Sequence, residues 1–167
     1  MDSNELRARQ SPLKKRYLNH PEEAQITLHA EGKLGDDLGC HVDTDIGTVE
    51  SGLHPVTGGD GSQACSGDML LQALVACAGV TLNTVATAMG IKLRDATVRA
   101  EGELDFRGTL GVSKEAPVGF SEIRLQFDLD VDAEQESIDK LIELTERYCV
   151  VYQTLRNSPE FVTEVDA

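Results

Sequence analysis

Positive charge is scarce in this chain: fifteen Lys+Arg stand against twenty-nine Asp+Glu, a formal net charge of −14. A nucleic-acid partner needs a basic footprint for its phosphates, so the balance argues against that class of function. Tryptophan is absent, and cysteine is limited to four positions in 167 residues. Four cysteines are too few for a disulfide scaffold and point to a cytoplasmic protein with reduced thiols. No N-terminal stretch joins a basic start to an apolar run, so no secretory signal is expected. Repeats and low-complexity linkers are lacking too, which leaves no second domain boundary to draw. At 40% hydrophobic and 26% charged residues, the composition is that of one globular domain.

The few positive charges are clustered. Arg7, Arg9, Lys14, Lys15 and Arg16 face only Asp2 and Glu5 within residues 1–20, a local +3 that leaves −17 for the rest. A basic, apolar-poor start predicts a partly disordered arm, or one that crosses onto a partner subunit. Residues 21–167 are left as the folded domain.

Alternation marks the strands. Ile26, Leu28 and Ala30 share one side of 25–31, which predicts a half-buried strand. A second strand is expected over about 39–49, with Gly47 inside it, and a third over 96–106 on the parity of Val98, Ala100, Leu104 and Phe106. The clearest case is Ile123, Leu125, Phe127, Leu129 and Val131, separated by polar residues so that one face meets a core and the other meets water.

Two segments read as helices. Asp132 is the expected N-cap of the later one, with Gln135 three residues on, and the apolar face of Ile138, Leu141 and Ile142 runs on to about Tyr148. The earlier helix is different in kind, because residues 69–91 contain no charge and are apolar or small on every side. Such a helix must be buried all round. Gln72, Asn83, Thr81, Thr84 and Thr87 make a membrane span costly, so no membrane is expected. Strands around one apolar helix predict an α+β domain, and a single chain has too little surface to cover that helix.

Chemistry has few places to sit. Ser66-Gly67-Asp68 opens the apolar helix, with Ser66 as a cap and Asp68 where the helix dipole favours a negative charge. The glycine-rich stretch Gly58-Gly59-Asp60-Gly61 has neither dinucleotide nor phosphate-loop spacing. Cys65 precedes the helix start, where the dipole favours a thiolate. Cys77 lies inside the helix among Leu74, Val75, Val80 and Thr81, with no activating partner nearby in sequence, and by itself reads as a packed small hydrophobe. Cys149 follows the later helix. Cys40 and His41 are strand neighbours that point to opposite faces, and no cysteine pair has zinc-ribbon spacing, so no metal is expected.

The stretch from Gly52 to Gly61 followed by Ser66 to Leu82, with its Leu-Leu-x-Ala-x-x-x-Cys ending on Cys77, resembles the OsmC/Ohr family, the osmotically inducible and organic hydroperoxide resistance proteins. The resemblance runs from about Ile26 to the C-terminus and includes a second cysteine, Cys149, after another helix. It implies an α+β OsmC-like fold, with curved antiparallel sheets around long buried central helices in an intertwined homodimer. It also implies a thiol peroxidase without cofactor. Cys77 would attack the O–O bond of an organic hydroperoxide and become a sulfenic acid. Cys149 would resolve it to a disulfide, and a dithiol of lipoyl or thioredoxin type would reduce that. Asp68 would be the family's carboxylate, with Cys65 and His54 as auxiliary candidates.

The chain departs from the family in three places. Gly67-Asp68 stands where the family has Pro-Glu, and Val150-Val151 where Pro-Val follows the resolving cysteine. No arginine occurs between Arg16 and Arg94, so the cation for a Cys77 thiolate would have to be Lys33, His41, His54 or an arm arginine. The alternative function is a non-enzymatic dimer of the same fold that binds a small apolar ligand, with Cys77 only packed.

Overall fold

A computed structural model describes residues 1–166. The basic arm is helical, α1 (Ser3–Asn19), with Pro12 inside it and no buried residue. Three short strands follow, β1 (Glu31–Leu34), β2 (Cys40–Thr44) and β3 (Gly47–Ser51), paired antiparallel in that order. The single strand expected over 39–49 is therefore two, because the chain reverses at Asp45-Ile46 and Gly47 takes a φ of 139° that favours glycine.

Residues 25–30, expected as a half-buried strand, are not one: they have no strand partner, and Ile26 and Leu28 are 79% and 83% exposed. Alternation alone does not make a strand. It needs a neighbour for its backbone and a cover for its apolar side, and this chain supplies neither at that place.

The apolar helix is α2 (Ser66–Met89). Its first N–H bond runs from Met69 to the Cys65 carbonyl, so Cys65 holds the cap position and Ser66 is already helical. After α2 come β4 (Leu93–Glu103), the single turn α3 (Phe106–Thr109), β5 (Glu122–Val131), α4 (Gln135–Tyr148) and α5 (Val150–Arg156). Glu134, not Asp132, is the N-cap of α4, and it offers no side-chain bond, so the expected capping box is not formed. β4 and β5 pair with each other. Arg94 reaches Asp130 at one end and the Ser121 N–H reaches the Glu103 carbonyl at the other, so the strands run antiparallel.

Contacts group the chain into two compact units. One holds 1–6, Ala73–Val98 and everything from Phe127 onward; the other holds Arg7–Gln72 and Arg99–Gln126. The core of the first is built on Leu82, Val85, Ala86 and Leu141, with Val98, Phe127, Leu129, Ile142 and Leu144 packed around them. Alternation on β5 and the 3.6-residue period of α4 bring those apolar sides to one place. In the second unit the ring of Phe120 lies on Gly102, where an added Cβ would come within 2.5 Å of it.

Helix α2 is covered on only part of its surface. Leu74, Ala78, Leu82, Val85 and Ala86 are buried, whereas Leu70 and Val80 are 38% and 70% exposed. By length and composition it is the one helix among the described residues long and apolar enough to cross a membrane.

Candidate functional site

Leu141, Thr145 and Cys149 are spaced four residues apart on α4 and its end, and all three are buried, at 0%, 1% and 1% exposure. They form one stripe. Leu141 packs with Leu82 of α2, while eight residues later Cys149 meets Cys77 of α2, so the two helices run antiparallel. The hydroxyl of Thr145 donates to the Leu141 carbonyl at 2.8 Å, which satisfies a buried polar group inside the stripe.

At Cys149 the helix breaks. Its φ of −75° and ψ of 108° are extended, and it ends α4 and begins α5. The first intrahelical bond of α5 runs from the Gln153 N–H to the Cys149 carbonyl, 2.9 Å. The amides of Val150 and Val151 therefore have no helical acceptor. Both lie within hydrogen-bonding reach of the Cys77 sulfur.

Four donors surround that sulfur: the Val151 amide, the Cys149 thiol, the Val150 amide and the Thr81 hydroxyl. Burial pushes the Cys77 thiol up, but the four hydrogen bonds together outweigh it and hold the thiol below its ordinary value. All four donors are neutral. Thr81 also donates to the Cys77 carbonyl at 2.8 Å, and its single proton can serve only one acceptor at a time. Cys149 shifts the other way. Burial raises it, the Tyr152 amide eases it back, and then the hydrogen bond to Cys77 and the charge of Cys77 raise it further. Of the pair, half-buried Cys77 is thus the thiol that gives up its proton more readily and buried Cys149 the one that holds it. A cavity of about 500 Å³ adjoins it, lined by Arg147, Cys149, Val150, Gln153 and Asn157 among others.

The other sequence candidates lie elsewhere. Asp68 is exposed in the first turn of α2. Cys65 has its sulfur near Gly67, beside Phe120 and Leu104. The Nδ1 of His54 accepts from the Val56 N–H at 3.1 Å, and its ring stacks on Phe106 with centroids 5.4 Å apart. Lys33 lies 4.0 Å from Glu31, and the His41 Nδ1 lies 3.8 Å from Glu50. Lys33, His41 and His54 thus each have a local partner, and of the arm arginines Arg16 pairs with Glu23. Among the described residues one group could hold a metal by spacing, His20, Glu22 and Glu23, all exposed and apart from the cysteines in sequence.

Sequence reading did not assign the Val150 and Val151 amides or the Thr81 hydroxyl as donors. Thr81 was open to discovery, since it stands four residues from Cys77 on the same helical face. The amides were not, because nothing in Tyr-Cys-Val-Val marks a helix break.

Two thiols in one hydrogen-bonded pair on an α+β frame make this, by class, a dithiol protein. Residues 59–164 match the family described as OsmC-like protein, and the chain belongs to that family. The fold is shared with solved structures. An OsmC-like protein from Mycoplasma pneumoniae is 18% identical, with a TM-score of 0.67 over 80% of this chain and 90% of that one. An organic hydroperoxide resistance protein from Elizabethkingia anophelis is 20% identical, with a TM-score of 0.62 over 80% and 92%. The organic hydroperoxide resistance protein OhrB of Bacillus subtilis is 18% identical, with a TM-score of 0.53 over 78% and 93%. No curated protein matches the chain.

Proposed function

We propose that the protein is a thiol peroxidase that reduces organic hydroperoxides through a Cys77 sulfenic acid and a Cys77–Cys149 disulfide. One observation carries this reading: two thiols within hydrogen-bonding reach whose environments push their proton affinities apart. A merely packed cysteine needs no such division, and Cys77 is only half-buried. Redox roles among the structural relatives, two of them named as hydroperoxide resistance proteins, support the same class. The apolar surroundings of Cys77 favour an organic over an inorganic peroxide.

Turnover needs a dithiol reductant, and a compartment that keeps dithiols reduced places the protein in the cytoplasm. The cavity that includes Cys149 in its lining is the approach we assign to that reductant.

The working form is a homodimer in this reading. Leu70 and Val80 on α2, with Ile26 and Leu28 on the unpaired alternating segment, leave large aliphatic side chains in water. Burying each is worth about 1.5–3 kcal/mol, and the four together rival the ~5–15 kcal/mol net stability of a domain. A second copy in C₂ symmetry is the commonest cover.

The test is hydroperoxide consumption with a supplied dithiol, followed by peptide mapping. Cumene hydroperoxide should be consumed faster than hydrogen peroxide, Cys77→Ser should abolish it, and one equivalent of oxidant should yield the Cys77–Cys149 bridge. Unchanged turnover in Cys77→Ser overturns the reading.

A further inference from the structure

Resting on the peroxidase reading, we propose that Cys149 is also the acid of the first chemical step, giving its proton to the departing alkoxide before it acts as the resolving nucleophile. Three features of the pair lead there. The thiol of Cys149 is within hydrogen-bonding reach of the Cys77 sulfur, the atom that will react. Cys149 is 1% exposed, so that proton is not freely traded with water. The remaining donors around the sulfur are two amides and a hydroxyl, none of which releases a proton at neutral pH.

The bookkeeping closes. The Cys77 thiolate attacks the terminal oxygen of R–O–OH; the S–O bond forms, the O–O bond breaks, and its electron pair leaves on the alkoxide. Cys77 is oxidised by two electrons to the sulfenic acid and the peroxide is reduced. The alkoxide, a far stronger base than a thiolate, takes the Cys149 proton and departs as the alcohol. Cys149 is left as a thiolate facing the sulfenic sulfur. It attacks that sulfur, the S–S bond forms, the S–O bond breaks, and hydroxide leaves to be protonated by solvent. One proton transfer thus completes the first step and arms the second.

This device answers a difficulty of the site. A buried thiol with a raised proton affinity is a poor nucleophile, because the thiolate is what attacks. If alkoxide release removes its proton, Cys149 becomes reactive only once the sulfenic acid exists.

The experiment separates acid from nucleophile by leaving group. Sulfenic acid formation is measured in a single turnover for wild type, Cys149→Ala and Cys149→Ser, with cumene hydroperoxide and with a peroxy acid. The peroxy acid releases a carboxylate that needs no proton. Thiolate absorbance of Cys77 in each variant corrects for any change in its ionisation. Loss of general acid help predicts that Cys149→Ala slows the alkyl hydroperoxide by about 10²–10⁴-fold, and the peroxy acid at least tenfold less than that. Cys149→Ser keeps a hydrogen-bond donor but not an acid, and should be slowed as much as Cys149→Ala. An equal loss with both oxidants, or no loss with the alkyl hydroperoxide, overturns the acid role while leaving the peroxidase reading intact. Wild type that forms no sulfenic acid with either oxidant overturns both.

Discussion

Cys149 stands eight residues beyond Leu141 on one buried stripe, so the packing of Leu141 on α2 decides where the Cys149 thiol meets Cys77. The thiol pair is positioned by the hydrophobic core. Cys77 lies within α2 and Cys149 at the one-residue break that ends α4, so their approach is set by two antiparallel helices.

The rate of sulfenic acid formation should depend on pH as a bell. Cys77 must be deprotonated, and its proton leaves below the ordinary thiol value of 9.0, so activity rises with pH through that lowered value. Cys149 must keep its proton, which is lost above 9.0, so activity falls at still higher pH. Stopped-flow rates across the range give both limbs.

Thr81→Val removes one donor with little change of volume. Its hydroxyl bonds the Cys77 carbonyl in the resting state and lies within reach of the sulfur. The acid limb should move to higher pH, and the rate on that limb should drop about tenfold, equivalent to ~1.4 kcal/mol. An unmoved limb would give the hydroxyl to the carbonyl alone.

Leu141→Ala opens a cavity at a site that is 0% exposed, against Leu82, Val85 and Ala86. The expected cost is about 2–5 kcal/mol, read as a lower urea midpoint at constant slope. In molecules still folded, disulfide formation should slow as well, because the same contact seats Cys149.

Val80→Asp tests the assembly. Val80 is 70% exposed in the single chain, where a charge is harmless. In a dimer that covers α2 it is not. Light scattering should give about twice 18.1 kDa for wild type and a much larger monomer fraction for the variant. The wild-type melting temperature should fall on dilution.

The elements that the sequence made legible were those whose apolar partners lie in the same chain. The alternation from Ile123 to Val131 became β5, and the uncharged run became α2, because each finds its cover in the core with Leu82 and Phe127. Ile26 and Leu28 had equally good alternation and no partner, so their pattern did not yield a strand. The same distinction runs through the site. Cys77 and Cys149 could be singled out by their resemblance to a family motif, and the structure places them together. The amides of Val150 and Val151 were not foreseen, since every residue type but proline carries an N–H and only the helix break at Cys149 frees these two. Capping failed for a related reason: Asp132 has the right chemistry, but α4 starts two residues later than that cap requires.

In the peroxidase reading, the break between α4 and α5 would also let the backbone sense the oxidation state of the sulfur. In the reduced protein the first two amides of α5 are within hydrogen-bonding reach of the Cys77 sulfur and favour its thiolate. A disulfide sulfur carries no charge and is a weak acceptor, so oxidation releases both amides, and no helical carbonyl lies ahead of them to take over. The first turn of α5 would then fray, and deuterium would enter Val150 and Val151 faster in the oxidised protein than in the reduced one. A covalent cross-link ordinarily tightens the chain around it. Here it would loosen the turn that follows, leaving a spent molecule distinguishable from a fresh one by the mobility of a single helix end.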